Sequence, residues 1–167
     1  VCFGKGMGNG LPISAITGPD EFMKIFDELW VSSTNNSEAL SLAGTMAVIN
    51  EMKNKNTISK CWHIGKEIFD GWNKITEENN LNSKISGYPV RMYMQCYNSE
   101  NKTSPELKAL ILQEMVKNGI FISPSWLAVS YSHTNDDVVK TLDVLNDVCK
   151  KIQNQVKNEN YDELLEG

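Results

Sequence analysis

The sequence predicts an α/β architecture in two parts: the carboxy-terminal end of a larger sheet domain over residues 1–56, then a small α+β domain over residues 57–167. Two observations carry this expectation. Short apolar runs, Val1–Phe3 and Ile13–Gly18, flank a glycine-rich stretch and precede a helix-spaced run of small apolar residues, which is the order strand, loop, strand, helix. Past the polar Asn54–Asn56 the chain changes to long amphipathic helical patterns interleaved with strand-like segments. Two strands cannot close a sheet alone, and the chain opens at Val1 inside an apolar run. The first part is therefore expected to be a fragment of a larger sheet, completed by strands that precede Val1.

Each element has a local reason. Pro19 followed by Asp20 and Glu21 suits the first turn of a short helix reaching Phe26, because proline needs no donor there and acids favour the positive dipole end. Val31–Ser33 reads as extended and Thr34–Ser37 as a polar turn. From Ser37, the residues Ala39, Leu42, Ala43, Met46, Ala47, Ile49 and Met52 have helical spacing, and their small size predicts a helix buried on one face. Ile58, Cys61, Trp62, Ile68, Phe69, Trp72 and Ile75 mark a second helix, ended by the polar run Glu77–Asn80.

Lys84–Gly87 and Val90–Tyr97 read as strands, the second with Pro89 at its start. Ser104-Pro105-Glu106 opens a helix carrying Leu107, Leu110, Ile111 and Met115, and Gly119 stops it. Ile120–Ile122 and Ala128–Tyr131 are expected as further short strands. A final helix from Asn135 carries Val138, Leu142, Leu145, Cys149, Ile152 and Val156, and Asn158–Gly167 reads as frayed. The second part is thus a three- or four-stranded sheet with helices on one face.

Composition narrows the function classes. With 41% hydrophobic and 22% charged residues the chain falls among folded globular proteins rather than disordered ones. Asn, Lys, Asp or Gly interrupts every apolar run short of the roughly eighteen residues a bilayer span needs, so no membrane partner is expected. A net charge of −5, with Arg91 the only arginine, argues against nucleic acid as a partner. Cys2, Cys61, Cys96 and Cys149 are widely spaced, and only two histidines are present, so no metal site and no disulfide scaffold is expected. Reduced thiols point to a cytoplasmic protein. Cys61-Trp62-His63 reads as part of a helix with one buried Cys, not as a ligand cluster.

The glycine stretch GKGMGNGLP, residues 4–12, invites a phosphate-loop reading that its spacing does not support. Asn9 breaks GxGxxG, and Lys5 precedes the glycines with no Ser or Thr after it, unlike a Walker loop. What is left is one lysine at the end of an apolar strand, among residues without side chains to block access. Near an aldehyde in a dry site such an amine can be held neutral or as an imine. An exposed lysine in a tight glycine turn is the alternative reading of the same residues.

GKGMGNGLPISAITG, followed by SSTNNSEALSLAG, resembles the class III pyridoxal-phosphate aminotransferases, the group that includes glutamate semialdehyde aminomutase. SYSHTNDDVVKTLDVL is similar to the family's closing strand and helix. The resemblance implies a PLP-transferase fold type I, with this chain as the end of its large domain plus the small C-terminal domain. It implies pyridoxal 5'-phosphate as cofactor and Lys5 as the Schiff-base lysine, serving as anchor and base. Thr34 would donate to the cofactor phosphate of the neighbouring subunit, in a homodimer acting on a small amino compound. Aminotransfer and internal amino shift are both implied, since both use the same lysine.

After Thr34 the family usually carries an aromatic and glycines before Glu or Asn, whereas here Asn35-Asn36-Ser37 precede Glu38. The aspartate that pairs with the pyridine nitrogen, the ring-stacking aromatic and the main phosphate loop are implied to precede Val1. The chain by itself is therefore expected to be a weak catalyst or inactive, retaining a folding or dimerisation surface. Arg91 reads as a solvated strand residue rather than a substrate clamp, and His133 as a structural hydrogen-bonding group. Trp62, Trp72 and Trp126 read as core and interface bulk.

Overall fold

In the computed structural model, which describes residues 1–166, Cys2–Phe3 (β1) pairs antiparallel with Ala15–Ile16 (β2), Cys2 opposite Ile16 and Phe3 opposite Ala15. The loop between them contains a 3₁₀ turn at Lys5–Met7. Asp20–Met23 (α1) follows Pro19 and continues as a 3₁₀ turn over Lys24–Asp27, as the proline and acids predict. Val31–Ser33 has no strand partner and forms no strand. Ala39–Asn54 (α2) completes this unit, which spans Val1–Thr57.

Burial of α2 departs from expectation. Only Ser41 and Thr45 are buried, while Leu40, Leu42, Met46, Ile49 and Met52 are exposed. The reason is length. A 16-residue helix runs about 24 Å, and the two-residue strands beside it reach about 7 Å each. Phe22, Leu29 and Trp30 are exposed in the same unit. A helix that is apolar all round has the composition of one buried inside a larger body.

The second unit begins at Ile58 and has its own closed core. Thr57–Glu78 (α3) precedes a three-stranded antiparallel sheet of order β3-β4-β5, with Ser83–Tyr88 as β3, Arg91–Cys96 as β4 and Leu127–Ala128 as β5. Along β4, Met92, Met94 and Cys96 are buried while Arg91, Tyr93 and Gln95 are exposed, so one face of the sheet meets the core. Pro105–Lys117 (α4) and Asn135–Lys151 (α5) contribute Leu107, Leu110, Ile111, Met115, Val138, Leu145 and Val148 to that core, and α3 adds Ile64 and Trp72. Burial pushes the Cys149 thiol up to about 12.

Local chemistry explains the boundaries. Ser104 Oγ accepts the Leu107 N–H at the start of α4, and Thr134 with Asp137 forms a reciprocal capping box on α5. At the end of α4, Gly119 has φ +80°, its N–H donates to Val116 O, and the Ile120 N–H donates to Met115 O, both at 2.9 Å. That closure is why Ile120–Ile122 is not the expected strand: the Ile120 donor is already used by the helix end. The later strand is Leu127–Ala128 instead of Ala128–Tyr131.

Asn73 of α3 lies along the free edge of β3, accepting from Ile85 N at 2.8 Å and donating to Ile85 O at 3.1 Å, as a neighbouring strand would. Gly65 brings α3 against the β3–β4 turn, since a Cβ there would overlap the Pro89 carbonyl oxygen. The last helix breaks at Ile152 and resumes as Gln153–Asn158 (α6). The tail beyond it is packed rather than frayed. Tyr161 is buried, Gln113 Nε2 donates to Leu164 O at 2.8 Å, and Gln113 Oε1 accepts the Glu166 N–H at 2.9 Å. Among the described residues no helix is long and apolar enough to cross a membrane.

Glu114 of α4 has only 1% of its side chain exposed and is held between Lys117 and Lys151. Burial pushes its carboxyl up, but hydrogen bonds from Lys151, Gln113 and Lys117 outweigh that and leave it below the ordinary value. A carboxylate lowered on folding stabilises fully above the unfolded value of 4.5, and the contribution is lost as pH falls through the folded value. Glu114→Gln is therefore expected to cost about 1–3 kcal/mol at neutral pH. Urea unfolding should show that difference shrinking toward zero at low pH; a constant difference would contradict it.

Candidate active site

Lys5 is set by the backbone that leaves β1. Gly4 is fully extended, Lys5 itself has φ +50°, and its carbonyl oxygen accepts the N–H groups of Gly8 and Asn9, both at 3.1 Å. The chain thus wraps around the Lys5 carbonyl, and the side chain is exposed. Left-handed backbone costs a side-chain-bearing residue about 1–2 kcal/mol, which glycine would avoid. Among the described residues Lys5 Nζ has no hydrogen-bond or ion-pair partner.

The glycines around it have distinct jobs. A Cβ on Gly8 would lie 2.5 Å from Leu11 O and 2.6 Å from Ile13 Cγ2, so the loop closes only with glycine there. A Cβ on Gly6 would meet nothing within 4 Å, which leaves open space next to Lys5. Leu11 packs where a side chain at Gly44 of α2 would be, seating the loop on that helix.

Thr34 opens the second loop. That turn is closed by Asn36 N–H to Ser33 O at 3.0 Å, and Ser37 takes φ +59° where glycine would be unstrained. Glu38 then caps α2: Oε1 accepts the Leu40 N–H at 2.8 Å, and Oε2 accepts the Ser41 N–H at 2.7 Å and the Ser41 hydroxyl at 2.5 Å. The Ser41 hydroxyl, with those two amides, holds the Glu38 carboxyl below its usual range. The start of α2 is thereby occupied by its own carboxylate. The Thr34 hydroxyl is exposed and has no partner among the described residues, so it is the free donor of this loop.

The two loops face each other across a cleft of about 450 Å³, lined on one side by Pro12, Ile13 and Ser14 and on the other by Ser33, Asn35–Glu38, Ser41 and Leu42. Neither Lys5 nor Thr34 lines it, and no hydrogen bond joins them. Chemically, the unit offers an unpaired primary amine beside open space and, separately, an unpaired hydroxyl. The capping role of Glu38 escapes a sequence reading that starts the helix at Ser37. Its signal is an acid three residues before Ser41, long enough to reach two amides.

Other residues weighed from the sequence lie in the second unit. His133 Nδ1 accepts the Ser130 N–H at 2.9 Å, a structural bond of the turn before α5. Cys61 and His63 are on α3, with His63 3.6 Å from Glu67, and no group of three metal-ligating side chains occurs among the described residues. Trp72 is fully buried, while Trp62 and Trp126 are each about two-fifths exposed (43% and 41%). Arg91 is exposed on β4, over the Tyr93 and Trp126 rings.

The Glu38 cap has a measurable pH signature. Because folding lowers this carboxyl, its hold on α2 is complete above 4.5 and is lost as pH falls through the lowered value. Hydrogen exchange at Leu40 and Ser41 should therefore be slow near neutral pH and accelerate selectively in acid, with Glu38→Ala fast at both. Equal protection in the variant at neutral pH would contradict the assignment.

Comparison with known proteins agrees with this architecture. The glutamate-1-semialdehyde 2,1-aminomutase of Methanosphaera stadtmanae is 29% identical over 167 residues, with 90% of this chain and 38% of that protein covered. The 3-aminobutyryl-CoA aminotransferase of Cloacimonas acidaminovorans is 21% identical, covering 90% of this chain and 37% of its own. Among solved structures, the PLP internal aldimine form of the FumI protein of Sphingopyxis sp. MTA144 superposes with a TM-score of 0.80 at 18% identity, over 98% of this chain and 39% of that one. The fold is thus that of the C-terminal portion of a fold type I PLP-dependent transaminase, and the chain spans somewhat over a third of the length of these relatives. The family described as Aminotransferase class-III matches residues 1–149, and the chain belongs to that family.

Proposed function

We propose that this chain is the C-terminal portion of a pyridoxal-phosphate-dependent aminotransferase, in which Lys5 is the covalent anchor of the cofactor and the group that moves the proton. The observation that carries the reading is the exposed and unpartnered Lys5 amine, set on a glycine loop that its own carbonyl closes and that leaves open space beside it. The residues present fit the cofactor in kind: an unpaired amine for its aldehyde, space beside Gly6 for a flat ring, and an unpaired hydroxyl at Thr34 for a phosphate. Bound, pyridoxal phosphate supplies an electron sink for bonds at the amino-bearing carbon.

The chain's own groups have the following parts. Lys5 Nζ, when neutral, would hold the cofactor through its aldehyde with loss of water, and when freed by a substrate's amino group would take up a proton and return it. Gly8 and Leu11 hold the loop so that Nζ points outward. Thr34 donates from its hydroxyl to the phosphate of the neighbouring subunit in a homodimer, which accords with Lys5 and Thr34 not sharing a cleft here. Residues 1–56 belong to the cofactor-binding large domain and residues 57–167 to the small C-terminal domain. The exposed apolar surface of α2 supports an incomplete large domain. The protein is cytoplasmic and acts on a small amino compound.

Internal amino shift is a second reading, favoured by the likeness to glutamate-1-semialdehyde 2,1-aminomutases. An aminomutase returns the amino group to the same carbon skeleton and needs no external acceptor, so product analysis with and without a keto acid separates the two. The Lys5 assignment has a direct test. A full-length protein carrying this sequence, incubated with pyridoxal phosphate and reduced with borohydride, should hold the pyridoxyl label on the Lys5 peptide, and Lys5→Ala should abolish it. Stoichiometric label elsewhere, with none at Lys5, would overturn the proposal.

A further inference from the structure

We propose that the segment Tyr161–Glu166 is a hinged strap along α4, latched by the ionised carboxylate of Glu114 acting through Gln113 and Lys117. Neutralising that carboxylate opens the strap while the rest of the unit stays folded. Every group involved lies inside the second unit, so the inference depends neither on what covers the unit's outer surface nor on the chemistry at Lys5.

The latch is built outward from Glu114. A carboxylate this deeply buried needs donors on its oxygens, and it has three: Lys151 of α5 on Oε2, and Lys117 Nζ and Gln113 Nε2, each 3.2 Å from Oε1. Two of the three continue to the strap. Gln113 Nε2 also donates to Leu164 O at 2.8 Å, Gln113 Oε1 accepts the Glu166 N–H at 2.9 Å, and Lys117 Nζ lies 2.6 Å from Glu166 Oε1. An ionised carboxylate can only accept, so it fixes which end of the Gln113 amide faces it and which end is left for the Glu166 N–H. Among the described residues Lys117 and Lys151 are the charged groups paired with Glu114, and Glu166 meets it only through Lys117. Folding lowers the Glu114 carboxyl, so the latch is complete above 4.5 and is lost as pH falls through the lowered value.

The other end of the strap is a hinge. Glu159 follows α6 with a left-handed backbone, φ +50°, and its Oε1 accepts the Ser99 N–H at 2.7 Å, which fixes the point where the strap begins. Between hinge and latch the Leu164 and Leu165 amides both donate to Tyr161 O, so the segment is a compact turn that moves as a piece. Tyr161 is its one buried residue, whereas Leu107, Leu110, Ile111 and Met115 of α4 are fully enclosed. The strap is therefore the part of the unit with least apolar hold, and the part that opens first. The Tyr161 hydroxyl lies beside the Ser104 side chain, and the Ser104 N–H donates to Cys96 O at 2.9 Å. Opening would lift the ring from beside the buried Cys96 thiol, which makes that thiol a reporter.

The test is hydrogen exchange, with mass-mapped alkylation of Cys96, on a full-length protein carrying this sequence. At neutral pH, Glu114→Gln and Gln113→Ala should each speed exchange at Leu164–Glu166 roughly tenfold and raise Cys96 labelling, while the Ile111 amide stays strongly protected. Lys150→Ala, an exposed cation of α5, should change neither. In the parent, corrected for intrinsic exchange, the strap amides should open selectively as pH falls below 4.5; Glu166→Gln, which loses only the ion pair to Lys117, should keep that response and Glu114→Gln should lack it. If Glu114→Gln does not fold, Gln113→Ala and the pH response of the parent and of Glu166→Gln decide. The proposal is overturned if strap exchange in the folded variants matches the parent, if strap and Ile111 amides share one protection factor throughout, or if the acid response is abolished by Glu166→Gln or survives in folded Glu114→Gln.

Discussion

A single carbonyl organises the loop on which the functional reading rests. By accepting from both Gly8 and Asn9, the Lys5 carbonyl turns the chain sharply after β1, and Lys5 itself takes a left-handed backbone there. The reversal returns the chain so that Ala15 and Ile16 pair with Phe3 and Cys2, and Leu11 settles over Gly44. With the main chain turned inward on itself, the lysine side chain is directed out of the loop. The left-handed backbone and the exposed amine thus occur together at this residue. Glycine at this position would avoid the cost but would carry no amine.

The two units differ in how far their own residues satisfy them. From Ile58 onward, three helices cover one sheet face, Asn73 closes the edge of β3, and Gln113 ties down the tail, so the unit has a closed apolar core of its own. Over Val1–Thr57, the two-residue strands leave α2 with Leu40, Met46 and Met52 in solvent, although its amino terminus is well capped by Glu38. The helix start is capped there while hydrophobic coverage is incomplete, which is what part of a larger sheet domain would show.

What the sequence made legible is what is encoded locally. Ser104-Pro105 and Gly119 bracket α4 because a cap, a ring-fixed φ and a positive φ act within a few residues. Met92, Met94 and Cys96 declare the buried face of β4 by alternation alone. Features that depend on distant partners were not legible. Ile120–Ile122 has strand composition, yet the Ile120 amide belongs to the closure of α4. The polar tail reads as frayed, yet Gln113, far away in sequence, offers it both a donor and an acceptor. Burial of α2 could not be read from its pattern, because apolar spacing describes what a helix can bury and not what covers it. At the candidate site, glycine spacing singled out Lys5, but its positive φ is foreign to lysine propensity and emerges only from the closed loop.

The central claim is that this strained lysine carries its amine to the cofactor aldehyde. The most direct measurement is a high-resolution crystal structure of the full-length protein with pyridoxal phosphate bound. The account predicts continuous density between Lys5 Nζ and the aldehyde carbon of the cofactor, with φ of Lys5 still positive. Cofactor bound through another residue, with Lys5 Nζ directed into bulk solvent, would contradict it.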